Sequence, residues 1–106
     1  MDVKSREEII KFAQKLNSTN LSPLRSGNIS LKAQNNNEEG FLITPSGKKY
    51  DSLKADDIVF VSLEGRYDEK GLQPSSEWRF HKDIYLKKAD AKAVVHAHSP
   101  HATAVS

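Results

Sequence analysis

The chain reads as a single α/β domain, and three observations carry that reading. Apolar residues recur at helical spacing behind a capping pair near the N-terminus; a second helix-like segment runs from about Ser75 to Lys88; and short runs of strand character separate and follow them. At 106 residues the chain is large enough for a modest core and no more than one domain, spanning 1–106.

The first helix is expected from Ser5, whose hydroxyl and the Glu8 carboxylate form a capping-box pair, with Ile9, Phe12, Ala13 and Leu16 on one apolar face that ends near Asn17-Ser18. Residues 20–27 are rich in Ser, Asn and Pro and read as a loop. From about Asn28, Ile29, Leu31 and Ala33 alternate with Ser30 and Lys32, the signature of a half-buried strand. Gln34 to Gly40 reads as a polar turn closing a hairpin onto Phe41-Leu42-Ile43-Thr44. Pro45 breaks that strand, and Thr44-Pro45-Ser46-Gly47 offers hydroxyls and amides in a turn able to hold an anion. Leu53 to Asp57 suits a helical turn, and Ile58 to Leu63 a strand covered on both faces. Arg66 to Gln73 is an exposed turn. Ser75 or Ser76 caps the second helix, which places Glu77 in its first turn and His81 one turn further along the same face. Lys92 to Ala97 is the next strand, and Ser99-Pro100 reads as the opening of a third helix at His101.

Composition narrows the function. A formal net charge of +2 gives no reason to expect a nucleic-acid partner. No apolar run approaches the length of a membrane span, and the N-terminus lacks the apolar core of a signal peptide, so no membrane is expected and a cytoplasmic location is. Without cysteine, any metal must be held by His, Asp or Glu. His96 and His98 stand two apart on a strand, where alternate side chains share a face, and Glu77 is an available third donor. Each residue also has an ordinary reading. The histidine pair could be polar residues at a strand end, Glu77 a carboxylate favoured by the helix dipole, and Ser75 and Ser76 simple caps. His81 is read as a supporting histidine rather than a ligand, and His101 is left open.

Taken together and in order, Gly27-Asn28-Ile29-Ser30, Ile43-Thr44-Pro45-Ser46-Gly47 with Tyr50, Pro74-Ser75-Ser76-Glu77-Trp78-Arg79-Phe80-His81 and Ala93-Val94-Val95-His96-Ala97-His98-Ser99-Pro100 resemble the class II aldolase/adducin family. The resemblance implies a three-layer α/β/α domain with a mostly antiparallel central sheet, incomplete at the C-terminus, and a homo-oligomer, tetrameric in the family. It also implies a lyase that cleaves or forms a phosphorylated ketose with one zinc ion per site. By position, His96, His98 and Glu77 would hold the metal, and Glu77 would be the catalytic acid/base. Gly27, Asn28, Ser46, Gly47, Ser75 and Ser76 would line the pocket for the substrate's phosphate. The family's third histidine ligand has no counterpart in these 106 residues, so the chain is expected to be an N-terminal portion, inactive alone. A sugar-phosphate epimerase on the same scaffold and a non-catalytic adducin-like interaction module are the rival readings.

Overall fold

The structure, a computed structural model, describes residues 3–18, 28–46, 52–96 and 102–105. Helix α1 (Val3–Ser18) is followed by strands β1 (Asn28–Asn35) and β2 (Glu38–Ile43), a 3-10 turn (Ala55–Asp57), strand β3 (Val59–Ser62), helix α2 (Trp78–Lys87), and strands β4 (Ala93–His96) and β5 (Ala102–Val105). The strands form one sheet in the order β3-β2-β1-β4-β5, and each neighbouring pair is antiparallel.

Strand alternation sorts the core into two layers. Ile29 and Leu42 face α1, where they pack with Ile9, Ala13, Leu53 and Ile58, and Phe60 leans on the same cluster. Phe41, Ile43, Val59, Val61 and Val94 take the opposite face, packing with Tyr85 of α2 and with Ala91. With one helix on each face, the sheet is the middle of three layers, as the resemblance implies. Phe41, Leu42 and Ile43 are all fully buried, each worth about 1.5–3 kcal/mol of apolar burial. Helix α1 begins at Val3 rather than behind Ser5, a shift within the usual spread at helix ends. Phe12, expected on the buried face, is 49% exposed, because it sits at the margin of the stripe that Ile9 and Ala13 define. Arg6 ties α1 down by donating to the carbonyls of Ala55 and Ile58.

The hairpin is tighter than its composition suggests. Asn36 and Asn37 alone make the turn, at φ 53° and 68°, while Gln34, Asn35, Glu38 and Glu39 extend the ladder. A two-residue hairpin requires left-handed dihedrals at both central positions, which asparagine tolerates better than most residues.

Gly40 has a different task. It lies opposite Ser62, and a Cβ there would run into the Val61 carbonyl oxygen and stand 2.9 Å from Ser62 Cα. The obstacle is backbone, so Gly40→Ala is expected to push β3 off the sheet and cost about 2–3 kcal/mol by the usual scale of overpacking; chemical denaturation with the slope compared between variants checks it.

One expected element is replaced. Residues 102–105 form strand β5, with Val94 opposite Ala104 and Val95 opposite Thr103, where a helix from His101 was expected. So short a helix gains few internal hydrogen bonds, whereas the open edge of β4 offers a ladder, and Thr103 and Val105 are β-branched. No helix among the described residues is long and apolar enough to cross a membrane.

Candidate active site

The candidate residues that the structure describes converge at one end of the sheet. Asn28 opens β1, and its Cα lies opposite that of His96, which closes β4. Beyond β2 the chain stays beside β1 for one more residue: Ile29 N–H donates to Thr44 Oγ1 at 3.3 Å, and Thr44 N–H to the Ile29 carbonyl at 3.1 Å. Pro45 then ends the ladder and bridges to Pro74. Ser46 N–H donates to the Gln73 carbonyl and Ser75 N–H to the Thr44 carbonyl, both at 3.0 Å. The segments 44–46 and 73–75 are thereby zipped together, which brings Ser46 and the Ser75-Ser76-Glu77 run to the start of β1.

Helix α2 starts later than the sequence predicts. Ser75 Oγ accepts from Glu77 N–H at 3.3 Å, and the Ser75 carbonyl accepts from Trp78 N–H. This turn occupies Ser75 and Ser76 and makes Glu77 the N-cap, where a first-turn position was expected. The Glu77 carbonyl receives Phe80 N–H and His81 N–H, and its carboxylate makes no capping bond. The Glu77 side chain is therefore not used to cap the helix.

Behind these residues lies a buried polar chain that the sequence reading missed. His81 is fully buried, with Nδ1 2.6 Å from Ser30 Oγ and Nε2 against Asn28 Oδ1. Ser30 Oγ is in turn 2.8 Å from the Tyr85 hydroxyl. Phe41 stacks on both rings, at 6.4 Å from His81 and 5.3 Å from Tyr85. The signal was present in the spacing: Ser30 falls on the strand face away from Ile29 and Leu31, and His81 and Tyr85 stand four apart on α2. Only the packing of α2 on that face turns them into one chain.

Burial, opposed by hydrogen bonds with Ser30 and the Val94 backbone, raises the Tyr85 hydroxyl from 10.0 to about 12. The folded state then holds a proton that the unfolded chain releases near pH 10, so stability is intact below that pH and lost as it rises toward 12. The loss amounts to roughly 3 kcal/mol, and Tyr85→Phe is expected to flatten the fall in denaturation midpoints measured from pH 9 to 12.

The donors available to an anion are also defined. The Ser46 and Ser75 amides are already used within the zipped segments, so the backbone supplies less here than the sequence reading assumed. What remains among the described residues is the Ser76 amide, the hydroxyls of Ser46, Ser75 and Ser76, and the Asn28 side-chain NH2. Gly27, Gly47, Tyr50, His98 and His101 lie outside the described residues, and His96 is placed by its backbone. Among the described residues no three His, Asp or Glu side chains group as a metal set. Seen from the sheet end, Asn28, Ser46, Ser75, Ser76 and Glu77 come together with the end of β4.

Residues 7–106 match the sequence profile described as Class II Aldolase and Adducin N-terminal domain. The chain is 42% identical over 103 residues to the L-fuculose phosphate aldolase of Escherichia coli K12, covering 97% of this chain and 46% of that protein. It is 40% identical over 101 residues to the 5-methylthioribulose-1-phosphate/5-deoxyribulose-1-phosphate aldolase of Rhodospirillum rubrum, covering 95% of this chain and 43% of the relative. A solved L-fuculose 1-phosphate aldolase superposes with a TM-score of 0.82 at 33% identity, over 94% of this chain and 46% of its own. The chain thus spans about half the length of the relatives it matches. Sequence, fold and the order of the motifs agree, and the chain belongs to the class II aldolase and adducin N-terminal domain family.

Proposed function

We propose that this chain carries the catalytic carboxylate and the phosphate cradle of a metal-dependent aldolase that cleaves or forms a phosphorylated ketose, with Glu77 as acid/base and His96 and His98 holding the metal beside it. The observation that supports this best is the convergence of Asn28, Ser46, Ser75, Ser76 and Glu77 with the end of β4, built by the zipped 44–46 and 73–75 segments.

The donor set fits zinc. In a chain without cysteine, imidazole and carboxylate are the remaining strong ligands, and Glu77 keeps its carboxylate out of helix capping. When bound, zinc supplies the positive charge that stabilises an oxyanion developing at the ketose carbonyl. The chain's own residues do the rest. The hydroxyls of Ser46, Ser75 and Ser76 and the Asn28 amide fix the phosphate, which orients the sugar. Glu77 then takes or returns the proton at the reacting centre, a transfer that requires it within hydrogen-bond reach.

The relatives' printed names share a phosphorylated ketose and a lyase reaction while differing in the sugar, so the substrate class is proposed at that level. The test is aldol cleavage of L-fuculose 1-phosphate and of 5-deoxyribulose 1-phosphate by the enzyme containing this chain, before and after chelation and after zinc is restored. Cleavage that disappears with chelation and returns with zinc is expected. Absence of turnover on either ketose, with zinc bound, would favour the adducin-like interaction module.

A further inference from the structure

We propose that His81 is a positioning residue that fixes which end of the Asn28 amide meets the substrate phosphate; this rests on the reading of Asn28 as part of the phosphate cradle. Asn28 is 5% exposed, and its Oδ1 lies against His81 Nε2. A carbonyl oxygen only accepts, so Nε2 must carry the proton. In the neutral ring Nδ1 is then an acceptor, served by the Ser30 hydroxyl, and Ser30 Oγ can itself accept from the Tyr85 hydroxyl. The hydrogens run in one direction, from Tyr85 through Ser30 and His81 to Asn28.

The consequence falls on the far side of the amide. With Oδ1 committed inward, Nδ2 is the atom left over, and among the described residues nothing accepts from it. A buried amide donor without an acceptor is costly unless a ligand supplies one. Turned over, the same amide would present an oxygen to a phosphate and repel it. His81, Ser30 and Tyr85 are buried together under Phe41, so the setting of the amide is held by packed groups rather than by solvent. This gives the anion cradle at least one donor of fixed polarity.

Two measurements test the inference. Long-range proton–nitrogen NMR correlation on the unsubstituted protein is expected to find the His81 proton on Nε2; a bare Nε2 overturns the assignment without any variant. Titration with inorganic phosphate then compares substitutions. Asn28→Asp is expected to abolish binding. A glutamine amide nitrogen can stand where Nε2 stands, whereas that of asparagine stands near Nδ1, so His81→Asn is expected to weaken phosphate binding about tenfold and His81→Gln by no more than about threefold. Equal losses in the two His81 variants, or none in His81→Asn, would sink the positioning role while Asn28→Asp still supports the cradle. Unchanged binding in Asn28→Asp would remove the cradle reading and, with it, the task assigned to His81.

Discussion

Glu77→Gln is expected to lower kcat for aldol cleavage about a thousandfold, in the middle of the range for removing a positioned acid/base, while leaving inorganic phosphate binding unchanged. The amide preserves the volume of the side chain and removes its capacity to take up a proton. Helix α2 gives no reason for collateral damage, because Ser75 Oγ accepts from the backbone N–H of Glu77 and the Glu77 carboxylate makes no capping bond. Phosphate is assigned to Asn28, Ser46, Ser75 and Ser76, none of which the substitution touches. Exchange of the substrate's reacting C–H with solvent deuterium isolates the proton transfer from the rest of the reaction and should fall with kcat. A kcat within about tenfold of the parent, below the range for a lost acid/base, would assign the base elsewhere.

The same helix start shows how much of the site was legible in the residues. Ser75, Ser76, Glu77 and the direction of the following helix are local matters of capping chemistry, and they were placed to within two residues. Asn28 at a strand start, and the break at Pro45, were also local. What local reasoning could not supply was the pairing of Pro45 with Pro74 and of Asn28 with His96. These contacts join residues far apart in sequence, and proline gives no ladder donor from which to anticipate them. Alternation in β1 showed the side that carries Ile29, whereas the continuous run Phe41-Leu42-Ile43 gives no alternation, and its division between the two clusters follows only from the helices that cover both faces.

The misses have one physical origin. The Ser99-Pro100 pair is a sound helix-start signal in isolation, yet residues 102–105 pair with β4 because the sheet edge offers more hydrogen bonds than so short a helix can make. Phe12 likewise fits the helical period and still stays half outside, since the period fixes the direction of a side chain and not the width of the surface it meets. His81 is the instructive case between these. Its spacing from Glu77 was visible, but its use depended on Ser30, a polar residue in an alternating strand that reads as solvent-facing until α2 covers it.

That distinction between two histidines leads to the second large effect. His96→Ala is expected to reduce zinc affinity by more than about 100-fold, beyond what loss of a supporting residue around a metal usually costs, whereas His81→Ala is expected to leave it within about threefold. The ring of His81 has Nδ1 beside Ser30 and Nε2 beside Asn28, so both nitrogens are committed and neither can serve as a ligand. His96 closes β4, and truncating its side chain leaves the backbone pairing with Asn28 and Ala102 in place, so the loss should appear in metal content and not in unfolding. Elemental analysis after dialysis against graded chelator reads both variants on one scale. Zinc lost from His81→Ala and kept in His96→Ala would reverse the assignment of ligand and support. If His96→Ala alone loses the metal, the two imidazoles divide as their surroundings require: one at the end of a strand for the ion, the other sealed beneath the sheet to hold an amide in place.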